Sequence, residues 1–460
     1  MVKKAEKLYV CNSCGYESIK WMGQCICGEW NTMEETFVDA KKPGASQQTS
    51  WGAQKSPVRL NSIVAQKNDR ILTGINEFNR VMGGGIVKDS VTILVAKPGI
   101  GKSTLLLQVA NDIASRGRKV IYASGEESES QIKSRADRLF TTPGESLWVL
   151  ADTSMDNLIN SINEIDPDII MVDSIQTFSL RDFTARAGTP SQTMECANEL
   201  LRIAKSMDKP RAVILVGQMN KSDEMAGLRA LEHLVDTVLF MEGENEEELR
   251  QVIVSKNRFG STWERGFFKM SEDGMMEIEN PSEFFMTKRS SDDMVPGSAL
   301  SIIKEGSRPI IVEIESLISK TYLPYPLRIV ECMKREQLNT LISVLEQRGG
   351  ISLTDRDIVI KITGGIRIKE QAANLAVIMS MVSSLKGKAI PTDTIFIADV
   401  SLTGELQKVP SMEMRIKEAE RMGYRTIYLA PSSLEKNTFS KSMKLVYLKS
   451  LKEVIKSVFG

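Results

Sequence analysis

The chain has 460 residues, 42% hydrophobic and 26% charged, with Lys plus Arg equal to Asp plus Glu at 59 each. That length exceeds what one hydrophobic core organises, so about two or three domains are expected. Balanced charge excludes a chain-wide basic coat for nucleic acid, leaving only local polyanion contacts. With no run of about 18 or more apolar residues, a membrane-spanning helix is excluded too. The start MVKKAEKLYVCNSCG has neither an apolar core nor a small-residue cleavage site, so a cytoplasmic protein without membrane partners is expected.

Four of the six cysteines lie between Cys11 and Cys27, a clustering that in such a chain favours metal over disulfide. Cys11 and Cys14 form C-x2-C, and after ten residues Cys25 and Cys27 form C-x-C. Thiolates so spaced make tetrahedral zinc sites, and a module this small has hardly any core without its metal. Residues 1–34 are therefore assigned to a zinc-binding module, with Tyr16, Trp21 and Trp30 expected to pad it. Residues 35–60, rich in Gly, Pro, Ser and Gln, read as a linker.

From 61 to 285, short apolar runs alternate with helical patterns. SVTILVA, KVIYAS, DIIMVDS, RAVILVG, DTVLFME and RQVIVSK are strand candidates, with helices such as 103–115 and 191–207 between them. This predicts a largely parallel sheet covered by helices. After a break near SSDDMVPGSA, a second α/β domain is predicted over 286–460, with strands in RPIIVEIESLI, DIVIKITGG, TDTIFIADVSL and YRTIYLAP and helices near 332–348, 369–386 and 411–423.

The line A-K-P-G-I-G-K-S, from Ala96, matches G-x-x-x-x-G-K-[ST] except at its first position, and it lies between an apolar strand and a helix. Ala96, Lys97, Pro98, Gly99, Ile100, Gly101, Lys102, Ser103 and Thr104 are thus candidates to bind a nucleoside triphosphate. Gly99 and Gly101 let backbone amides close around phosphate oxygens at a helix N-terminus. Lys102 would reach the β and γ phosphates, and the Ser103 hydroxyl would ligate Mg²⁺. Ala96 adds one methyl, which matters only where positive φ or close backbone approach is needed, so binding is expected to survive. Asp173, ending the strand in DIIMVDSIQT, suits a second Mg²⁺ partner acting through water. Glu126 and Glu127, after the strand KVIYA, are candidates to orient or deprotonate the attacking water.

These blocks, with TGINEFNRVMGGGIV, LEHLVDTVLFMEGE, KNRFG and VPSMEMRIKEAERMGY, resemble the RecA superfamily and, within it, the RadA (Sms) family of bacterial DNA-repair proteins over nearly the whole chain. The resemblance implies a RecA-like P-loop ATPase core with an N-terminal zinc knuckle and a C-terminal Lon-protease-like α/β domain. It implies ATP, Mg²⁺ and Zn²⁺ as cofactors, and a hexameric ring that moves on single-stranded and branched DNA alongside the RecA recombinase. In KNRFG, Lys256 and Arg258 would place cations against a neighbour's γ phosphate or against DNA. Gln218 would act as a polar sensor of the γ phosphate, although the family usually shows histidine there and threonine where Asn220 stands. Arg181, Arg186, Lys221 and Arg229 lie in segments placed like DNA-facing loops, with Phe178 and Phe183 offering stacking faces.

Against the Lon pattern, Ala372 and Ala373 stand around the serine position and Arg415 at the lysine position. Alanine has no nucleophilic atom and arginine cannot act as a base, so peptidase chemistry is excluded. Arg367, Lys369, Lys386 and Lys388 offer a DNA-facing surface instead. His233, the sole histidine, is expected to be a packed helix residue. A zinc-dependent scaffold with a weakened ATPase is the alternative suggested by Ala96 and by the C-x-C pair, which is one residue shorter than the family's C-x2-C.

Overall fold

The computed structural model describes the chain except residues 1–5, 15, 19, 26, 39–58, 60, 62–69, 207, 219–227, 244–247, 288–293 and 432–442. Most of the linker therefore lies outside the described residues. The chain divides into two compact units, Met1–Glu277 and Ile278–Gly460. No helix among the described residues is long and apolar enough to cross a membrane.

The N-terminal module is a three-stranded antiparallel sheet. Its central strand β1 (Glu6–Cys11) pairs with β2 (Glu17–Ser18) and β3 (Met33–Val38). Its core is Cys11, Cys25 and Met33, with Tyr9 packed against them. Tyr16, Trp21 and Trp30 do not pad it: they are 37%, 56% and 67% exposed. The buried positions of this module go to Cys11, Cys25 and Met33 instead.

The rest of the first unit is built on a nine-stranded sheet. Its strands in chain order are β4 (Val91–Ala96), β5 (Val120–Ser124), β6 (Leu147–Ala151), β7 (Ile169–Asp173), β8 (Ala212–Gln218), β9 (Thr237–Glu242), β10 (Leu249–Asn257), β11 (Arg265–Ser271) and β12 (Gly274–Glu277). They lie in the order β12-β11-β10-β9-β4-β8-β7-β5-β6, parallel from β9 to β6 and antiparallel from β9 to β12.

Every residue of β4 is buried, because helices cover both faces, and a strand wet on neither side reads as an unbroken apolar run. Leu94 and Ala96 pack with α1 (Lys102–Ser115) and α2 (Glu129–Leu139). Ile93 and Val95 pack on the other face with α3 (Met155–Ile165) and α4 (Pro190–Ala204). A short helix, α5 (Leu228–Leu234), precedes β9. His233 sits on it but is exposed, not packed, since the buried face of α5 is supplied by Leu231.

The second unit has a seven-stranded sheet in the order β15-β16-β14-β13-β17-β18-β19. In chain order these are β13 (Ser298–Glu305), β14 (Arg308–Lys320), β15 (Arg328–Val330), β16 (Arg356–Ile362), β17 (Thr394–Ile397), β18 (Thr426–Leu429) and β19 (Lys444–Tyr447). Its helices are α6 (Arg335–Val344), α7 (Asn374–Lys386), α8 (Met412–Arg421) and α9 (Leu451–Phe459). Residues 374–383 of α7 are buried all round, as the core helix of this Lon-protease-like α/β domain.

Candidate nucleotide and metal sites

The parallel strands end together. Ser124 lies opposite Asp173, and Gln218 opposite Ala96, so four carboxyl-terminal strand ends form one rim. In open α/β sheets such a rim is where ligands bind.

The phosphate loop crosses this rim. Gly99 and Gly101 adopt φ of +80° and +110°. A Cβ on Gly101 would also lie 2.4 Å from Met270 Cε and 2.8 Å from Met275 Cε, so only glycine fits there. Lys102, 7% exposed, donates to the carbonyls of Ala96 (3.2 Å) and Lys97 (3.0 Å). Burial pushes its pKa down, against the pull of Asp173 and Glu126. Two glycines at positive φ, a 14-residue helix opening at Lys102 and a buried ammonium held, among the described residues, by the backbone carbonyls of Ala96 and Lys97 fit a triphosphate. Ser103 and Asp173 are the residues that would hold Mg²⁺.

Ala96 ends β4 wholly buried and outside the positive-φ region, so the freedom of glycine is not used at this position. Ala96→Gly is expected to change nucleotide affinity by less than about fivefold, or ~1 kcal/mol, in a calorimetric titration. A rise from no binding to ordinary binding would overturn that.

The two adjacent glutamates have different partners. Glu127 forms a two-pronged ion pair with Arg135 on α2, Arg135 Nη1 to Oε2 at 2.7 Å and Nη2 to Oε1. Glu126 accepts from Ser174 Oγ (2.5 Å) and Gln218 Nε2 (2.7 Å), both on Oε1. Its Oε2 therefore has no protein partner among the described residues.

Beside Ser174, three more neighbours went unnoticed in the sequence. Tyr122, fully buried in β5, donates its hydroxyl to Asp173 Oδ2 at 2.7 Å. Burial and the nearby Asp173 carboxylate raise the phenol pKa well above its usual range, so it stays a donor. Arg250, buried at the start of β10, donates to the carbonyl of Ile100 at 3.1 Å and pins the phosphate loop from across the sheet. Arg135 is the third. The apolar run KVIYAS marks Tyr122 only as a strand residue; its partner depends on strand register.

Tyr122→Phe is expected to raise the Mg²⁺ concentration for half-maximal binding of a fluorescent ATP analogue by roughly tenfold, as loss of a charged hydrogen bond implies. Binding in EDTA should not move. An unchanged Mg²⁺ dependence would make Tyr122 a packing residue only.

Lys256 and Arg258 sit at the far end of the sheet. Lys256 pairs with Val238 and Asn257 with Thr237, while Thr237 lies beside Thr92 and Met241 beside Ala96. Lys256 is thus level with Ile93, three residues before Ala96, so at about 3.3 Å per residue KNRFG begins roughly 10 Å along the sheet from its own phosphate loop and runs away from it. There Lys256 Nζ donates to the Glu232 carbonyl, and Arg258 Nη1 to buried Asp236 at 3.2 Å. Asp236 also accepts from Val91 N (3.0 Å) and Lys205 (3.3 Å).

Arg181 and Arg186 are exposed in the loop after β7. Phe178 is not available for stacking: it is 0% exposed in the core under α3 and α4, where an apolar ring gains more than in water. Phe183 is half-buried. Arg229 belongs to α5, while Lys221 and Asn220 lie outside the described residues.

In the N-terminal module the four sulfurs converge within 4.8 Å of one another despite the short C-x-C turn. Cys11 and Cys27 are 3.9 Å apart and Cys14 and Cys25 3.4 Å. A tetrahedral zinc with Zn–S near ~2.3 Å needs sulfurs about 3.8 Å apart, so the set fits. Burial opposes ionisation of Cys11, but the Thr32 hydroxyl and the amides of Ser13 and Cys14 outweigh it and bring the thiol down to about 6.

In the second unit, Ala372 and Ala373 are buried in a turn after Glu370. Arg415, 1% exposed, donates to both Glu370 oxygens at 2.7 Å and to the carbonyls of Pro410 (3.1 Å) and Ile302.

A P-loop on a RecA-like sheet and a four-cysteine ribbon define the class: an ATPase with a structural zinc module, whose cofactors are ATP, Mg²⁺ and Zn²⁺. An AAA domain family matches residues 54–224, and a rubredoxin metal binding domain family matches residues 9–35. The chain is 40% identical to the DNA repair protein RadA of Bacillus subtilis, over 99% of both chains. It is 39% identical to that of Listeria monocytogenes over 97% of both, and 39% to that of Pseudomonas aeruginosa over 92% of both. A KaiC-like protein of Pyrococcus horikoshii aligns at a TM-score of 0.38 and 19% identity, over 46% of this chain and 99% of that one. This chain belongs to the RadA family of DNA-repair proteins.

Proposed function

We propose that the chain is a DNA-dependent ATPase of recombinational repair in the cytoplasm, working as a hexameric ring that drives branch migration on single-stranded and branched DNA with the RecA recombinase. The observation that carries this reading is the place of KNRFG. Lys256 and Arg258 lie at the opposite end of the sheet from their own phosphate loop, so a γ phosphate within their reach belongs to a neighbouring chain.

In this reading the loop amides and Lys102 hold the β and γ phosphates. Bound Mg²⁺, held by Ser103 and by Asp173 through water, neutralises phosphate charge. Glu126 takes a proton from the attacking water on Oε2 while Ser174 and Gln218 fix its carboxylate. Because Gln218 touches Glu126, it would link the phosphate site to the segment after β8. Arg181, Arg186, Lys221 and Arg229 track DNA phosphates.

The test is the ATPase rate with and without single-stranded DNA, for the natural sequence beside Lys102→Ala and Arg258→Ala. Expected are stimulation by DNA, loss of activity in either variant, and partial recovery when the two variants are mixed. Bound but unhydrolysed ATP with no effect of DNA would favour the scaffold alternative. Inactive mixtures that assemble normally would remove the neighbour-reaching role.

A further inference from the structure

The second unit contains a cleft of about 1130 Å³, bounded by the segments Val330–Lys334, Arg367–Ala372, Asp399–Leu402 and Lys408–Pro410. Small-molecule pockets occupy roughly 300–1,000 Å³, so this space suits part of a chain. One wall carries the burial pattern of a strand. Ile366 and Ile368 are buried while Arg367 and Lys369 are exposed, the alternation of extended backbone. Ile368 N donates to the Cys332 carbonyl at 2.7 Å, so that side of the segment is occupied. In extended backbone the next residues' groups face the other way. The N–H and C=O groups of Arg367 and Lys369 have no protein partner among the described residues.

Charge adds a second, independent observation. Lys334, Arg367, Lys369 and Lys408 line the cleft, are exposed, and make no side-chain hydrogen bond or ion pair among the described residues. Of the carboxylates there, Glu370 is neutralised by Arg415. Asp399 accepts from Asn374 and Val400 N, each at 2.7 Å, and Glu331 completes the set. The cleft is therefore net positive.

We propose that this cleft binds an acidic, extended polypeptide segment of a partner protein, which adds as a strand along Arg367–Lys369 and sets its carboxylates against the four cations. Open strand edges are templates for such addition, main-chain bonds giving affinity and side-chain contacts specificity. The alternating free N–H and C=O groups separate the two polyanion classes. A peptide backbone satisfies donors and acceptors alike, whereas a phosphodiester backbone offers acceptors only and would leave the carbonyls facing like charge. No bond is cut: with alanines at 372 and 373 and Arg415 tied to Glu370, the cleft holds a chain without hydrolysing it.

The test uses the full zinc-loaded chain and a fluorescein-labelled peptide of alternating glutamate and valine, read by anisotropy. A lysine–valine peptide and an oligothymidylate serve as comparison probes. Saturable binding of the acidic peptide is expected, with none of the lysine peptide and no displacement by oligothymidylate, which the DNA-facing loops of the ATPase unit bind separately. Charge reversal in Arg367→Glu/Lys408→Glu should weaken it about tenfold. Lys369→Pro, which removes an N–H the fold does not use, should weaken it about fivefold more than Lys369→Ala. Equal binding of the lysine peptide, no saturable binding, or equal loss in the proline and alanine variants would overturn the proposal. Displacement of the peptide by oligothymidylate at matching concentration would reassign the cleft to nucleic acid.

Discussion

Glu126→Gln is expected to lower kcat for ATP hydrolysis by roughly 100-fold or more while nucleotide affinity stays within a few-fold, the pattern of a lost general base. Glu127→Gln is expected to cost less than about tenfold in kcat and to lower the melting temperature instead. The difference rests on partners. Both oxygens of Glu127 are taken by Arg135, in an ion pair with side chains 22% and 26% exposed that ties the strand-end loop to α2. Glu126 has one oxygen anchored by Ser174 and Gln218 and the other open. The check is steady-state ATPase kinetics with a parallel binding titration for each variant. If Glu127→Gln is the more damaging in kcat and leaves stability untouched, the assignment is reversed.

Removing zinc is expected to unfold residues 6–38 and leave the ATPase sheet folded. The module's buried core is Cys11, Cys25 and Met33. At about 1.5–3 kcal/mol per buried apolar side chain, that core contributes only a few kcal/mol. Ordering the backbone opposes folding at every residue, and so small a core cannot offset it, so the module depends on its metal to fold. Cys25→Ser, or a strong chelator, should take bound zinc from about one per chain to none by elemental analysis. Amide exchange should become fast across 6–38 while the calorimetric transition of the remainder persists. Protected amides in a metal-free protein would show that the sulfur cluster folds on its own.

Exposed Trp21 and Trp30 give this module an aromatic surface that the padding expectation did not foresee. In a sequence, aromatic residues beside cysteines look like core. Only the folded module shows that its core is Cys11, Cys25 and Met33, with the rings outside.

Much was legible in the chain itself. The strand runs from SVTILVA to RQVIVSK, the phosphate loop between a strand and a helix, Asp173 at a strand end and the four clustered cysteines are all encoded locally. Burial on both faces demands unbroken apolar strands, a phosphate cradle demands glycines at set spacing, and metal demands thiolates close together in sequence. What only the tertiary structure decided was partnership: Arg135 on Glu127, Tyr122 on Asp173, Arg250 on the phosphate loop, Phe178 in the core, and KNRFG at the end of the sheet away from its own nucleotide site. These contacts depend on strand order and register, which bring together residues up to 150 positions apart, and no periodicity along the chain carries that information.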